Sequence, residues 1–174
     1  MDDALAAPRT SAGLSPAPSA RLIALLLPLA LLGGALGSQY FGGLHPCEMC
    51  YWQRWPHGVA IVLAALAFTA PADSGRARSL TLLAALAIAL SGVIAVYHAG
   101  VEAKIFQGFT TCTALATKGM SSADLLKAIT HAPLVRCDEV QFRFLGVSMA
   151  GWNAILSLSG AAAILILSLR GSRR

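Results

Sequence analysis

The sequence predicts an all-α membrane protein, a four-transmembrane-helix bundle with a short amphipathic helix in its second outer loop. Composition is the first reason: 56% of the 174 residues are hydrophobic and 12% charged, against roughly 45–50% and 25% in ordinary soluble domains. Distribution is the second, since residues 22–41, 80–99 and 146–169 carry no Asp, Glu, Lys or Arg, and a spanning helix needs roughly 20 apolar residues. The third is a shorter apolar stretch, residues 55–70, which extends back to Tyr51 with a single charge at Arg54. There an arginine can snorkel to the interface.

Four spans put both termini on one side, and the Lys and Arg residues outside them set the orientation. Arg9, Arg21, Arg76, Arg78, Arg170, Arg173 and Arg174 crowd short segments, whereas Arg54, Lys104, Lys118, Lys127, Arg136 and Arg143 are spread over longer ones. The denser side reads as cytoplasmic. Residues 1–20, rich in Ala, Pro and Ser, then form a disordered cytoplasmic leader, residues 21–170 the membrane domain, and residues 171–174 a cytoplasmic tail. The outer loops are residues 42–54 and 100–145, and all four cysteines lie on them. A cleaved secretory signal is the competing reading of the first apolar run. Its length to Phe41, and the odd number of spans that cleavage would leave, weigh against it. The net charge of +5 belongs to this topology, because the basic residues are scattered singly and form no nucleic-acid-binding stripe.

Within the membrane domain, Gly33, Gly34 and Gly37 and the alanines of the third span let backbones approach closely, where lipid gives helices no hydrophobic reason to associate. The second outer loop, 46 residues long, exceeds the usual structureless connection. Ser121-Ser122-Ala123-Asp124 fits a capping box ahead of Leu125, Leu126 and Ile129. That pattern predicts the short helix, either lying on the membrane surface or packed within the loop.

The chemistry sits in the cysteines. Cys47-Glu48-Met49-Cys50 is a CxxC, a spacing that serves thiol exchange and metal binding alike. Tyr51 stands where haem attachment needs a His. Cys112 and Cys137, 25 positions apart, supply no second close pair for a structural zinc, so no metal ligands are expected. Two readings stay open on cysteine count alone: redox-active dithiols, or structural disulfides stapling the loops in an oxidising compartment.

The setting of the first pair favours redox work, because a helix N-terminus and a nearby cation both stabilise a thiolate. A helix starting near Cys47 places Cys50, Arg54 and His57 on one face, and Pro56 either kinks that helix or marks the start of its regular part. Arg54 equally fits an interfacial anchor between Trp52 and Trp55. His98 reads as a helix-end residue hydrogen-bonded to backbone or as a ligand contact. Glu102 reads as a solvated loop charge, and Trp152 and Asn153 as packing and interhelical hydrogen-bonding residues.

Taken in order, Pro46-Cys47-Glu48-Met49-Cys50-Tyr51-Trp52-Gln53-Arg54, Tyr97-His98-Ala99-Gly100-Val101-Glu102, Cys112, and Cys137-Asp138-Glu139 running to Phe144-Leu145-Gly146 resemble the disulfide bond formation protein B (DsbB) family. The match covers nearly everything after the leader. Any one piece is weak; the ordered set on a four-helix profile is specific.

The resemblance implies an inner-membrane thiol:quinone oxidoreductase that reoxidises a periplasmic DsbA-type dithiol protein. Electrons pass through two cysteine pairs to a membrane quinone, ubiquinone in preference to menaquinone, and so support disulfide bond formation in periplasmic proteins. In that scheme the partner attacks a Cys112–Cys137 disulfide and forms its mixed disulfide with Cys112. Cys137 then exchanges with Cys47, freeing Cys50 as a thiolate beside the quinone. Arg54 steadies the charges, and Arg54, His98 and His57 make up the expected quinone-binding set. Residues 113–136 do not align with the family pattern, and Pro56 and His57 have no counterpart in it, so His57 rests on helical spacing alone.

Overall fold

The computed structural model describes residues 18–108, 121–123, 126 and 135–171. Among them are four long helices, α1 (Pro18–Tyr40), α2 (Glu48–Thr69), α3 (Gly75–Glu102) and α4 (Met149–Gly171), and two short strands, β1 (Arg143–Phe144) and β2 (Val147–Ser148). α3 is the centre of the bundle, packed on α2 and on α4, while α1 closes the remaining side against α2 and α4.

The helices pack small residues inward and turn large ones outward. Ala24, Ala60, Ala64, Ala84 and Ile88 are buried together in the core, and Leu26, Leu86, Leu90 and Ile155 stand exposed on the outer faces. This is the arrangement expected of helices surrounded by lipid tails, which compete equally well for leucine but cannot fill the space between two close backbones. The glycines that allow close approach are not those of α1. A Cβ built on Gly33, Gly34 or Gly37 meets nothing within 4 Å, whereas one on Gly92 comes within 2.9 Å of the Leu158 side chain. Close approach therefore occurs between α3 and α4, with Gly160 playing the same part beneath Leu27 of α1.

α1 takes in Pro18 and Ala20, which the sequence placed in the leader; residues 1–17 lie outside the described residues. Near its start Arg21 is buried, donates to the carbonyl of Ala67 and lies 4.6 Å from the Phe68 ring centre. It therefore ties the beginning of α1 to the end of α2 and is not a free surface charge.

α2 runs unbroken through Pro56, so Pro56 is not the start of its regular part. The proline ring leaves the carbonyl of Trp52 without its helical donor. The next carbonyl, that of Gln53, accepts from Ser91 Oγ at 2.8 Å, which ties this turn of α2 to α3. At the far end Ser74 caps α3, its Oγ accepting the Ala77 N–H at 3.1 Å.

α3 ends where Lys104 adopts φ 61° and the N–H groups of Ile105 and Phe106 turn back to the carbonyl of Gly100, at 2.8 and 3.2 Å. Phe106 then stacks on Tyr97 with ring centres 5.4 Å apart, covering Gly100 at a position where a Cβ would collide with its ring. The helix expected from residue 146 starts at Met149 instead. Residues 143–148 form a hairpin whose turn residues Leu145 and Gly146 have φ 52° and 81°, the positive values a two-residue turn demands. Trp152 Nε1 donates to the Phe144 carbonyl at 2.9 Å and pins the hairpin to α4. Cys112, and most of the short helix expected around Ser121 to Ile129, lie outside the described residues.

α1, α3 and α4 have both the length and the hydropathy to cross a membrane. α2 has the length, at 22 residues, but its first turns carry Glu48, Gln53, Arg54 and His57.

Because nothing but side chain separates Gly92 from α4, a branched residue there forces the two helices apart. Gly92→Val should cost about 1–3 kcal/mol, the usual range for overpacking. The check is a lowered thermal unfolding midpoint of the purified protein in detergent, beside a Gly33→Val control that leaves it unmoved.

Candidate functional site

The site begins with a cap. Cys47 has extended backbone, φ −74° and ψ 172°, and its sulfur accepts the N–H of Cys50 at 3.4 Å, closing the first turn of α2. This holds the two sulfurs 3.0 Å apart. From α3, Nε2 of His98 comes within 3.5 Å of Cys47 Sγ, and Glu102 Oε1 lies 3.9 Å from the same nitrogen. The side chain of Glu102 is only 10% exposed, so it is not the solvated loop charge the sequence suggested.

Below the thiols a polar network ties three helices together, and counting donors fixes its protons. Gln53 Nε2 donates to the Met49 carbonyl at 3.2 Å and to His98 Nδ1 at 2.8 Å. Its Oε1 accepts from Asn153 Nδ2 at 2.8 Å. Asn153 Oδ1 in turn accepts from Ser157 Oγ at 2.8 Å and from His57 Nε2 at 3.0 Å. Ser91 spends its one proton on the Gln53 carbonyl, so its oxygen accepts from Asn153 Nδ2. The consequence is specific for both histidines. His98 has a bare Nδ1 and carries its proton on Nε2, pointed at Cys47; His57 likewise donates through Nε2, and its buried Nδ1 has no partner among the described residues.

Cys47, Cys50, Arg54, His57, His98 and Asn153 all line one cavity of about 610 Å³ to which all four helices contribute. Its far wall is apolar, contributed by Leu31, Gly34 and Ala35 of α1. The sequence expected Cys50, Arg54 and His57 on one face, and all three border this space. Arg54 donates to Gln39 Oε1 and to the Ala35 carbonyl at 3.1 Å, with the Tyr51 ring centre 5.1 Å from its guanidinium carbon. His57 is committed to Ser91 and Asn153.

Cys137 is fully buried and packs with Cys47, Met49 and Val101. Cys47 thus has the other cysteine of the outer loop beside it and the cavity in front of it. The hydrogen bond with Cys50, and burial, push the Cys47 thiol above its ordinary range. Next to Cys137, Asp138 accepts from Arg136 Nε at 2.9 Å and Nη2 at 2.8 Å and from Lys104 Nζ at 2.6 Å. These bonds hold its carboxyl well below the usual carboxylate range and fasten the segment carrying Cys137 to the end of α3.

Gln53, Ser91 and Ser157 were not singled out from the sequence. Their signal was available: each is a polar residue in an apolar helix, and Gln53 with His57, and Asn153 with Ser157, repeat at four-residue spacing on one helix face.

A capped thiol pair at the rim of a cavity, in a bundle of apolar helices, defines a membrane protein of thiol chemistry. The profile of the family described as disulfide bond formation protein DsbB matches residues 18–167, and the chain belongs to that family. It is 35% identical to the disulfide bond formation protein B of Methylococcus capsulatus over 85% of this chain and 94% of that one. With its counterpart from Chromohalobacter salexigens it shares 30% over 85% and 86%. The protein of the same name from Xanthomonas campestris is 25% identical over 77% and 80%. No solved structure matches the chain significantly. Membership makes this an oxidoreductase of disulfide bond formation.

The Asp138 contacts carry a pH signature. A carboxyl whose folded pKa is depressed contributes stability that is present above its unfolded value and lost as pH falls through the folded one. The unfolded reference is 3.8, so the stability advantage of wild type over Asp138→Asn should be constant from pH 5 to 8. It should shrink below about pH 4. Unfolding midpoints of the two proteins across that range measure it, and the difference is small because Lys104 and Arg136 are 63% and 47% exposed and screened by solvent.

Proposed function

We propose that the chain is an inner-membrane thiol:quinone oxidoreductase that reoxidises a periplasmic DsbA-type dithiol protein. The observation that carries this reading is the position of Cys47, with Cys137 packed on one side and the cavity on the other.

A reduced partner attacks a Cys112–Cys137 disulfide and leaves as its own disulfide, putting two electrons on the outer pair. Cys137 then attacks the sulfur of Cys47 in a Cys47–Cys50 disulfide, and Cys50 departs as thiolate. Exchange of this kind needs a thiolate and an accessible sulfur, and both cysteines lie in one buried cluster. When Cys112 displaces Cys137, the outer disulfide re-forms and Cys47 and Cys50 hold the electron pair. Quinone in the cavity accepts the two electrons and two protons and leaves as quinol, restoring the Cys47–Cys50 disulfide.

The cavity suits such a substrate. Its volume falls within the roughly 300–1,000 Å³ of small-molecule sites, its α1 wall is apolar, and Arg54 and His98 supply donors at the rim. His57, behind them, shapes the deeper wall. A DsbA-type partner is a strong oxidant at about −120 mV, so its reoxidation requires an acceptor of higher potential, which favours ubiquinone over menaquinone.

The same reading makes α2 the fourth span. Its low hydropathy comes from Gln53, Arg54 and His57, which meet other helices and the cavity in place of lipid. With four spans the termini are cytoplasmic and the cysteines periplasmic.

Purified protein given a reduced DsbA-type partner should reduce a soluble ubiquinone analogue, and Cys50→Ser should abolish turnover. Undiminished turnover in that variant would sink the scheme. Arg54→Lys keeps the charge but loses the planar fork, and should raise the KM for quinone about tenfold, a loss of one charge-assisted hydrogen bond; an unchanged KM removes Arg54 from the binding set.

A further inference from the structure

We propose that the reduced Cys47–Cys50 pair and His98 form a binding site for a thiophilic divalent cation of the zinc class, and that its occupation arrests the dithiol. The proposal does not depend on which acceptor the protein uses.

Three soft donors, two thiol sulfurs and an imidazole nitrogen, lie within 4.8 Å of one another. The CxxC alone supplies two; the third comes from α3, 48 residues beyond Cys50 in sequence, which is why cysteine spacing gave no hint of it. Around a tetrahedral zinc, with bonds of about 2.3 Å to sulfur and about 2.0–2.1 Å to nitrogen, a sulfur and a nitrogen stand roughly 3.5 Å apart and two sulfurs roughly 3.8 Å. Cys47 Sγ and His98 Nε2 are already 3.5 Å apart. The sulfurs, at 3.0 Å, need to open by less than 1 Å. Glu102 Oε1, 3.9 Å from His98 Nε2, or a water from the adjoining cavity, can complete four-coordination.

Binding has a proton requirement that the network makes explicit. Each thiol releases its proton to solvent as its sulfur takes the metal, so one divalent cation displaces two protons and no electrons move. His98 must present the Nε2 lone pair, which moves its ring proton to Nδ1. Gln53 then turns its side-chain amide so that Oε1 accepts from Nδ1–H, giving the metal-bound histidine the outer carbonyl partner such ligands characteristically have. That turn sacrifices the Gln53 bond to the Met49 carbonyl, and Asn153 must follow. Gln53 thus sets the affinity of the site without touching the metal. A metal-capped pair holds no free thiolate for exchange and cannot close to a disulfide until the ion leaves.

The test uses the full chain in detergent, with Cys112→Ser and Cys137→Ser so that only the CxxC thiols remain, and Cd²⁺ alone as probe. One equivalent should produce the ultraviolet sulfur-to-cadmium band in reduced protein and none after oxidation to the disulfide. His98→Ala should weaken binding at least about tenfold. Gln53→Glu, whose carboxylate accepts from Nδ1–H with no amide turn, should tighten it several-fold. Zinc bound to the unsubstituted chain, examined by X-ray absorption, should show two sulfurs and at least one imidazole nitrogen from CxxC and His98, which needs no variant to fold. Absence of the band at one equivalent, affinity indifferent to both His98→Ala and Gln53→Glu, or a metal shell without imidazole nitrogen overturns the proposal.

Discussion

A bundle embedded in hydrocarbon must satisfy its polar groups from within, and here one side chain, Asn153, discharges most of that obligation. It takes protons from Ser157 and His57 and gives its own to Gln53 and Ser91, so α2, α3 and α4 share one network. A buried donor or acceptor left without a partner costs roughly 1–3 kcal/mol, so the helices have little freedom to slide while the network holds. Register follows from it. The Gln53 amide is oriented by Asn153 on one side and Met49 on the other, and the oriented amide in turn decides which nitrogen of His98 carries a proton. A hydrogen bond in the interior thereby determines what the rim presents to the thiols.

The inside-out packing has a functional counterpart. α2 and α3 meet through alanines, and α3 and α4 close on each other at Gly92. α1 is the helix whose glycines Gly33, Gly34 and Gly37 face open space, and it is the helix that forms the apolar wall of the cavity. Of these glycines Gly34 lines the cavity, whose volume also borders Cys50 and Arg54. Gly34 thus opens space in the cavity wall and makes no close contact between helices.

Much of this was legible in the chain and some was not, for physical reasons. Three helices announce themselves because uninterrupted apolar runs have no other stable use. The N-cap at Cys47 and the common face of Cys50, Arg54 and His57 follow from helical periodicity, which α2 keeps through Pro56. The hairpin before α4 was hidden, since Leu145 at positive φ is a poor advertisement for a turn and the apolar residues around it read as the start of a helix. Glu102 was misjudged because its surroundings depend on the hairpin before α4, whose Ser148 and Arg143 act on it, and that contact is tertiary. Partners across helices, such as Gln53 with Asn153, 100 residues apart, leave only the trace of a polar residue where lipid would forbid one.

The placement of Cys47 at a helix start, and not within a helix, carries the last step. As an N-cap it has extended backbone and no helical neighbours above it, so it packs with Cys137 of the loop while it and Cys50, one turn into the helix, both border the cavity. Two cysteines within a regular helix at the same spacing would both point along one face and share a single approach. The cap gives the two cysteines different backbones, Cys47 extended and Cys50 in the first turn of the helix, with their sulfurs 3.0 Å apart. Asymmetry between two chemically identical thiols thus arises from a single change of backbone conformation at the end of α2.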